Sequence, residues 1–290
     1  MAFTAQALVG SSFVAAVTLD DYPVAAGQAG RYALAALVML AIAGFRFPRL
    51  TRPDILPLLG LTITGLALFN ALMIVAVEAS DPAAVGVIVG CVPVLLALLG
   101  PLQRGARPLP RVVGAGVVVA VGAALVQWTG EGLSTVGFLC ALGALACEAA
   151  FTLLAVPLLP RLGPLGITQW ATALVVPMLV AWALVVDGPG AQRLPHLDEA
   201  LALLWLTVAV TAVAFLCWYG AVQRIGPERA GLFSGVLPIS AAAIGAMTGS
   251  VELTPVRVAG AVAVAVGVTL GMLAARRPGA GTPATGTVPM

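Results

Sequence analysis

Ten apolar stretches follow one another along this 290-residue chain, at approximately residues 2–18, 23–45, 55–77, 82–102, 111–128, 135–157, 165–186, 200–222, 227–249 and 255–275. A helix needs roughly 17–25 residues to cross a hydrocarbon core, and each stretch meets that length. No water is available there to satisfy backbone groups, so the stretches are expected to be helices. Charged residues make up only 9% of the chain, against about 25% in a soluble domain, which excludes a water-soluble fold. The connections are short and leave no room for a separate soluble domain. The first stretch begins at Ala2, so either that helix is short or the chain starts upstream. No basic leader or cleavage site marks a signal peptide.

Charge placement tests the count. All fourteen basic residues are arginines. With ten crossings, Arg46, Arg49, Arg52, Arg104, Arg107, Arg111, Arg161, Arg224, Arg229, Arg276 and Arg277 fall on one side; Arg31, Arg193 and Arg257 lie toward the other. The acids are biased oppositely, with Asp20, Asp21, Glu78, Asp81, Glu131, Asp187, Asp198, Glu199 and Glu252 on the arginine-poor side. The positive-inside rule then puts both termini in the cytoplasm of a plasma-membrane protein. The tail over 276–290 is Gly/Pro/Thr-rich and is expected to be disordered.

The pattern Pro-x-x-x-Gly-x-x-x-Gly-x-x-Pro occurs twice, at Pro82–Gly86–Gly90–Pro93 and at Pro227–Gly231–Gly235–Pro238, offset by 145 residues. Spacings of four, four and three share one helix face. Gly86, Gly90, Gly231 and Gly235 are therefore assigned to close helix packing. Ala76 and Ala221, and Gly100 and Gly245, match at the same offset, and Val119-Ala-Val-Gly resembles Val264-Ala-Val-Gly. The fold class expected is an all-α integral membrane protein of ten helices in two inverted five-helix repeats, residues 1–130 and 131–275. Five is odd, so the second half enters the membrane in the opposite sense. Exchanging the conformations of the halves then yields two access states, an arrangement typical of carriers.

Gly10-Ser-Ser-Phe-Val-Ala-Ala, Gly30-Arg31-Tyr-Ala-Leu-Ala-Ala, Trp218-Tyr219-Gly-Ala-Val-Gln-Arg-Ile-Gly226 with Pro238, and Glu252 in Gly249-Ser-Val-Glu252-Leu-Thr resemble motifs of the EamA family of the drug/metabolite transporter superfamily. The likeness covers about residues 9–274. Three positions depart from it: Val9 replaces the usual first-helix tryptophan, Ala106 stands nearest to a missing loop glutamate, and Glu148 replaces a sixth-helix aromatic. The resemblance implies a carrier moving a small metabolite, amino acid-like or an organic cation or drug, through a cavity between the halves. It also implies proton coupling and, by family habit, efflux. An uncoupled facilitator of the same fold and a non-transporting scaffold are the alternatives.

Glu148 is the clearest intramembrane carboxylate, within one turn of residue 146 at the centre of its stretch. A charge at that depth costs about 2.5–3.5 kcal/mol on insertion scales, so it should face the bundle interior or a wet cavity. It is read either as the proton-coupling or cation-binding group, or as a protonated structural side chain. Tyr32 to Phe45 would give only about 21 Å of helix, so the helix must begin near Pro23, drawing Arg31 below the surface. Arg31 either binds a substrate carboxylate, pairs with Glu78 or Asp81, or snorkels; Gln169, beside Trp170, stands as its counterpart. Pro93 and Pro238 each remove a backbone donor near a helix centre, serving as hinges or as static kinks. Asn70, Trp218, Tyr219 and Ser234 complete the pathway candidates. Cys91, Cys140, Cys147 and Cys217 have no metal-ligand spacing and are read as small hydrophobes. His196 lies in a loop. No P-loop, HExxH or GxSxG motif is present, so no enzyme activity, cofactor, metal or nucleic-acid partner is expected; the partners are lipid, a small-molecule substrate and protons.

Overall fold

The computed structural model describes residues 1–127, 132–188 and 193–274. Glu131, Arg276, Arg277 and the tail over 276–290 lie outside the described residues. Among the described residues every regular element is helical: α1 (Ala2–Gly10), α2 (Ser12–Thr18), α3 (Val24–Ile42), α4 (Arg52–Ala79), α5 (Pro82–Gln103), α6 (Pro110–Gln127), α7 (Thr135–Ala155), α8 (Leu159–Val186), α9 (Leu197–Ile225), α10 (Pro227–Met247) and α11 (Pro255–Ala274). Among the described residues, α3 to α11 are the nine helices long and apolar enough to cross a membrane.

The first apolar stretch is a broken pair, α1 and α2, interrupted at Ser11, whose hydroxyl donates to the Leu8 carbonyl at 2.6 Å. Neither piece is long enough alone. The pair nevertheless runs between the two ends reached by the long helices. Met1 Sδ lies 3.0 Å from Arg224 near the end of α9, and Thr18 shares a cavity wall with Asp198 at its start. Helix α3 begins at Val24, behind Pro23, which puts Arg31 two turns inside it.

Two features of α4 recur in α9 at the 145-residue offset of the glycine motif. The first is a buried acid at the third helical position. Asp54 accepts from the backbone N–H of Thr51 at 2.7 Å and from its hydroxyl at 2.8 Å, and it pairs with Arg161 at the start of α8. Glu199 accepts from the backbone N–H of His196 and from Arg193, both at 2.7 Å. Each carboxylate satisfies an orphan N–H of a helix start. The second is a π-helical segment, Ile63–Leu68 in α4 and Leu206–Val213 in α9. Buried threonines stand at both: Thr62 donates to the Leu58 carbonyl at 2.8 Å, and Thr207 to the Leu203 carbonyl at 2.7 Å. A hydroxyl bonded to the carbonyl four residues back competes with the backbone ladder, and the wider turn lies at that point.

Asp54→Asn is expected to lower the thermal unfolding midpoint by several degrees. Removing one partner of a buried hydrogen-bonded charge costs about 1–3 kcal/mol, and a fluorescence-detected melt of detergent-purified protein reads the shift.

The bundle is assembled by a few long contacts. Helix α6 lies along α11 and α3 along α8; α4 and α5 pack on α7, and α1 packs on α9 and α10. Helices α5 and α10 meet through Val92–Gln103 of one and Pro227–Gly235 of the other, at the arginine-rich end. The main apolar core joins α3, α4, α5, α7, α8 and α9 around Tyr32, Leu66, Leu96, Leu145, Leu179 and Tyr219.

Candidate functional site

The duplicated glycine–proline motif falls where two helices lose regularity. In α5 the helix stops at Val89, turns through Gly90 and Cys91, and restarts at Val92 with Pro93 in its first turn. In α10 the stretch Gly231–Gly235 tightens to a 3₁₀ helix before Val236 resumes the α path. Pro93 cannot donate to the Val89 carbonyl, nor Pro238 to that of Ser234. Both prolines are buried, and the Ser234 hydroxyl is buried without a hydrogen-bond partner among the described residues.

The glycine faces are contact surfaces. A Cβ on Gly86 would strike Gln127 of α6, and one on Gly231 would lie 2.9 Å from Leu96 of α5. One on Gly235 would lie 2.7 Å from both Val119 of α6 and Val264 of α11. Gly90 differs, because its Cβ would sit 3.0 Å from the Gly86 carbonyl of its own helix and 3.6 Å from Ala123. Gly90 therefore serves the break as well as the packing. Toward the arginine-rich end the α5–α10 contact continues from Leu96 against Gly231 to Gly100 against Pro227, and ends in the Arg104–Glu228 ion pair at 2.9 Å.

Glu148 lies on the buried stripe of α7 that carries Ala141, Ala144, Leu145, Thr152 and Ala155. It is half-buried, and among the described residues its carboxylate makes no hydrogen bond or ion pair. One turn further along α7, Thr152 accepts from Trp218 Nε1 of α9 at 3.1 Å. Phe151 packs on Tyr219 at 5.2 Å and on Phe215 at 5.3 Å between ring centroids. Trp218 and Tyr219 thus join α9 to the turn of α7 that follows Glu148. The Tyr219 hydroxyl is fully buried without a partner among the described residues.

Arg31 departs from the outer-rim pairing considered for it. No ion pair to Glu78 or Asp81 forms, or to any other carboxylate among the described residues. Its Nε donates to Thr211 Oγ1 of α9 at 2.8 Å and its Nη1 to Gln28 at 3.3 Å, with the guanidinium 5.0 Å from the Tyr32 ring centre. Gln169 is bound elsewhere, donating to the Arg46 carbonyl at 2.9 Å, while Trp170 donates to that of Pro48. Asn70 donates to the Leu66 carbonyl inside the π segment of its own helix. A separate cavity of about 500 Å³ opens among α2, α9 and α10, lined by Ser11, Ala15, Thr18, Asp198, Trp205 and Ile244 with others. None of the residues proposed from sequence as pathway groups lines it.

Comparison with known proteins bears on this architecture. The profile of the EamA-like transporter family matches residues 1–128 and 135–273. The chain belongs to the EamA-like transporter family. It is 26% identical over 248 residues to the uncharacterized transporter YetK of Bacillus subtilis (strain 168), covering 82% of this chain and 75% of that protein. A solved crystal structure superposes with a TM-score of 0.81 at 19% identity, covering 95% of this chain and 97% of the other, and shares the fold.

Within this EamA-like chain, several residues of the central cluster escaped the sequence reading. Thr211, Gln28, Tyr32, Phe151 and Thr152 all touch a residue that the reading had singled out. Thr207 and Thr211, four apart in an otherwise apolar stretch, were the available signal. Their spacing puts both hydroxyls on one helix face.

Proposed function

We propose that this protein is a secondary transporter moving a small metabolite, amino acid-like or an organic cation, by alternating access across the plasma membrane. The proposal includes proton-coupled efflux, ten crossings with α1 and α2 forming the first, and both termini in the cytoplasm. The halves are inverted repeats over residues 1–130 and 131–275. Glu148 carries this reading: a carboxylate on a buried stripe at mid-helix, without a protein partner among the described residues. A group so placed is functional by default in a membrane protein.

The repeat reading draws support from mirrored packing. Helix α4 packs on α7 as α9 packs on α1, α5 on α7 as α10 on α1, and α3 on α9 as α8 on α4. Each pair becomes the other when the halves are exchanged. Helices α5 and α10 are each other's counterparts, and in this state they meet through their arginine-rich halves. Alternating access requires that contact to loosen while its mirror image tightens.

The test uses purified protein in proteoliposomes with an internal pH-sensitive dye and an imposed proton gradient. Amino acids, organic acids and cationic dyes are added in turn. A substrate-dependent pH change that protein-free vesicles lack is expected. Solute flux without proton movement would replace coupling with facilitated diffusion, and no flux of any compound would sink the transporter reading.

A further inference from the structure

We infer that Arg31 is the anion-recognition group of this carrier, and that the solute it selects bears a carboxylate. The inference rests on the transporter reading and narrows it. The way Arg31 is held is the first observation. The Thr207 hydroxyl reaches the Arg31 carbonyl at 3.4 Å, so Thr207 marks the level of the Arg31 backbone on the parallel helix α9. Thr211 lies four residues further toward the arginine-rich end, about one turn or 5 Å deeper, and it holds Arg31 Nε at 2.8 Å. Nη1 turns back to Gln28, one turn toward the arginine-poor end, so the guanidinium is braced between α3 and α9. A snorkelling arginine reaches water; here Nε and Nη1 are both held by protein acceptors.

Charge balance is the second. A guanidinium below the membrane surface calls for a counter-charge, yet its partners here are a threonine hydroxyl and a glutamine carbonyl. These neutral acceptors orient the group without neutralising it. Nη2 makes no hydrogen bond among the described residues. Thr211 is itself fixed by donating to the Leu206 carbonyl, five residues back, at 2.9 Å, so the π segment of α9 sets the angle of the arginine.

An orphan donor nearby is the third. Arg31 lies against Tyr32, and Tyr32 shares the main apolar core with Tyr219, whose buried hydroxyl has no acceptor among the described residues. A carboxylate satisfies the guanidinium through charge-assisted hydrogen bonds, and the phenol in the same core is a further donor. A single arginine favours a monoanion over a phosphate dianion, and the rings of Phe151, Phe215 and Tyr219 offer an apolar surface for its body.

The test is ligand protection of the full chain in detergent, read as a shift in unfolding midpoint. The probes are a monocarboxylate series from acetate to 3-phenylpropionate, with 3-phenylpropionamide and phenethylamine as uncharged and cationic controls. Members of the carboxylate series are expected to raise the wild-type midpoint while the amide and amine leave it unchanged. Arg31→Gln should abolish the shift. Thr211→Val, which keeps the guanidinium but frees it, should weaken apparent affinity about 3–10-fold; it also serves if Arg31→Gln proves unstable. Protection by the amine alone, protection by no carboxylate, or an unaltered carboxylate profile in both variants would overturn the inference. Proton-linked flux of an amine without carboxylate protection defeats this inference alone, whereas carboxylate protection with no flux of any solute defeats the transporter reading instead.

Discussion

Replacing Glu148 with glutamine is expected to reduce substrate-driven proton movement in proteoliposomes to the level of protein-free vesicles, while the variant still inserts and runs as a single species. The substitution keeps the side chain's size and a hydrogen-bonding terminus but removes the group that can bind and release a proton. Insertion should not suffer, because a carboxylate at this depth carries a cost of about 2.5–3.5 kcal/mol that the neutral amide largely avoids. The surrounding stripe of Ala141, Ala144, Leu145 and Thr152 is unchanged by the replacement. If solute continues to move without protons, coupling resides at Glu148 and the remainder of the cycle survives. Wild-type proton movement in the variant would end the assignment and leave Glu148 with a structural role.

The second large effect lies far from that carboxylate. Gly122→Leu or Gly260→Leu is expected to cost the protein its folded state or at least ten degrees of melting temperature. Helices α6 and α11 cross backbone to backbone at this pair. A Cβ on Gly122 would lie 2.7 Å from the Gly260 carbonyl oxygen and 2.8 Å from the Val264 nitrogen. One on Gly260 would lie 2.6 Å from the Gly122 oxygen and 2.8 Å from the Val126 nitrogen. The obstructing atoms are main chain, so no rotamer change relieves the clash and the helices must separate. Lipid supplies no hydrophobic drive to hold them together once close packing is lost. Gly114 lies on the same helix with nothing within 4 Å of its would-be Cβ, so Gly114→Leu should melt within about two degrees of wild type. Size-exclusion profiles and melts of the three variants distinguish a specific crossing from general intolerance of bulk.

The sequence made much of this legible. Long apolar runs made the helical bundle legible, and the glycine spacing marked faces on which Gly86, Gly231 and Gly235 lie against Gln127, Leu96 and Val119. The breaks in α5 and α10 were foreshadowed because glycine and proline have direct backbone consequences. The π segments carried no such signature: Ile-Thr-Gly-Leu-Ala-Leu and Leu-Thr-Val-Ala-Val-Thr-Ala-Val read as ordinary helix, and only the shared threonine at the 145-residue offset hints at more. Asp54 and Glu199 stand at the same offset, but Glu199 entered the reading only as a loop charge and Asp54 did not enter it at all. The start of α3 near Pro23 followed from spacing, but the partners of Arg31 were hidden, because a long side chain's contacts depend on which acceptor the neighbouring helix presents.

The two π turns bear on what this chain can lose. A π turn carries one residue more than the α path between the same flanks, so removing a residue elsewhere in a crossing helix rotates everything beyond it by about 100°. Within Ile63–Leu68 or Leu206–Val213, removal instead lets the turn revert to α spacing with both flanks in register. In α4 and α9 these segments are thus built-in slack, the places where a one-residue deletion leaves the helix ends where they were. In α9 the same deletion would withdraw Thr211 from Arg31, so there the slack has been taken up to aim a side chain.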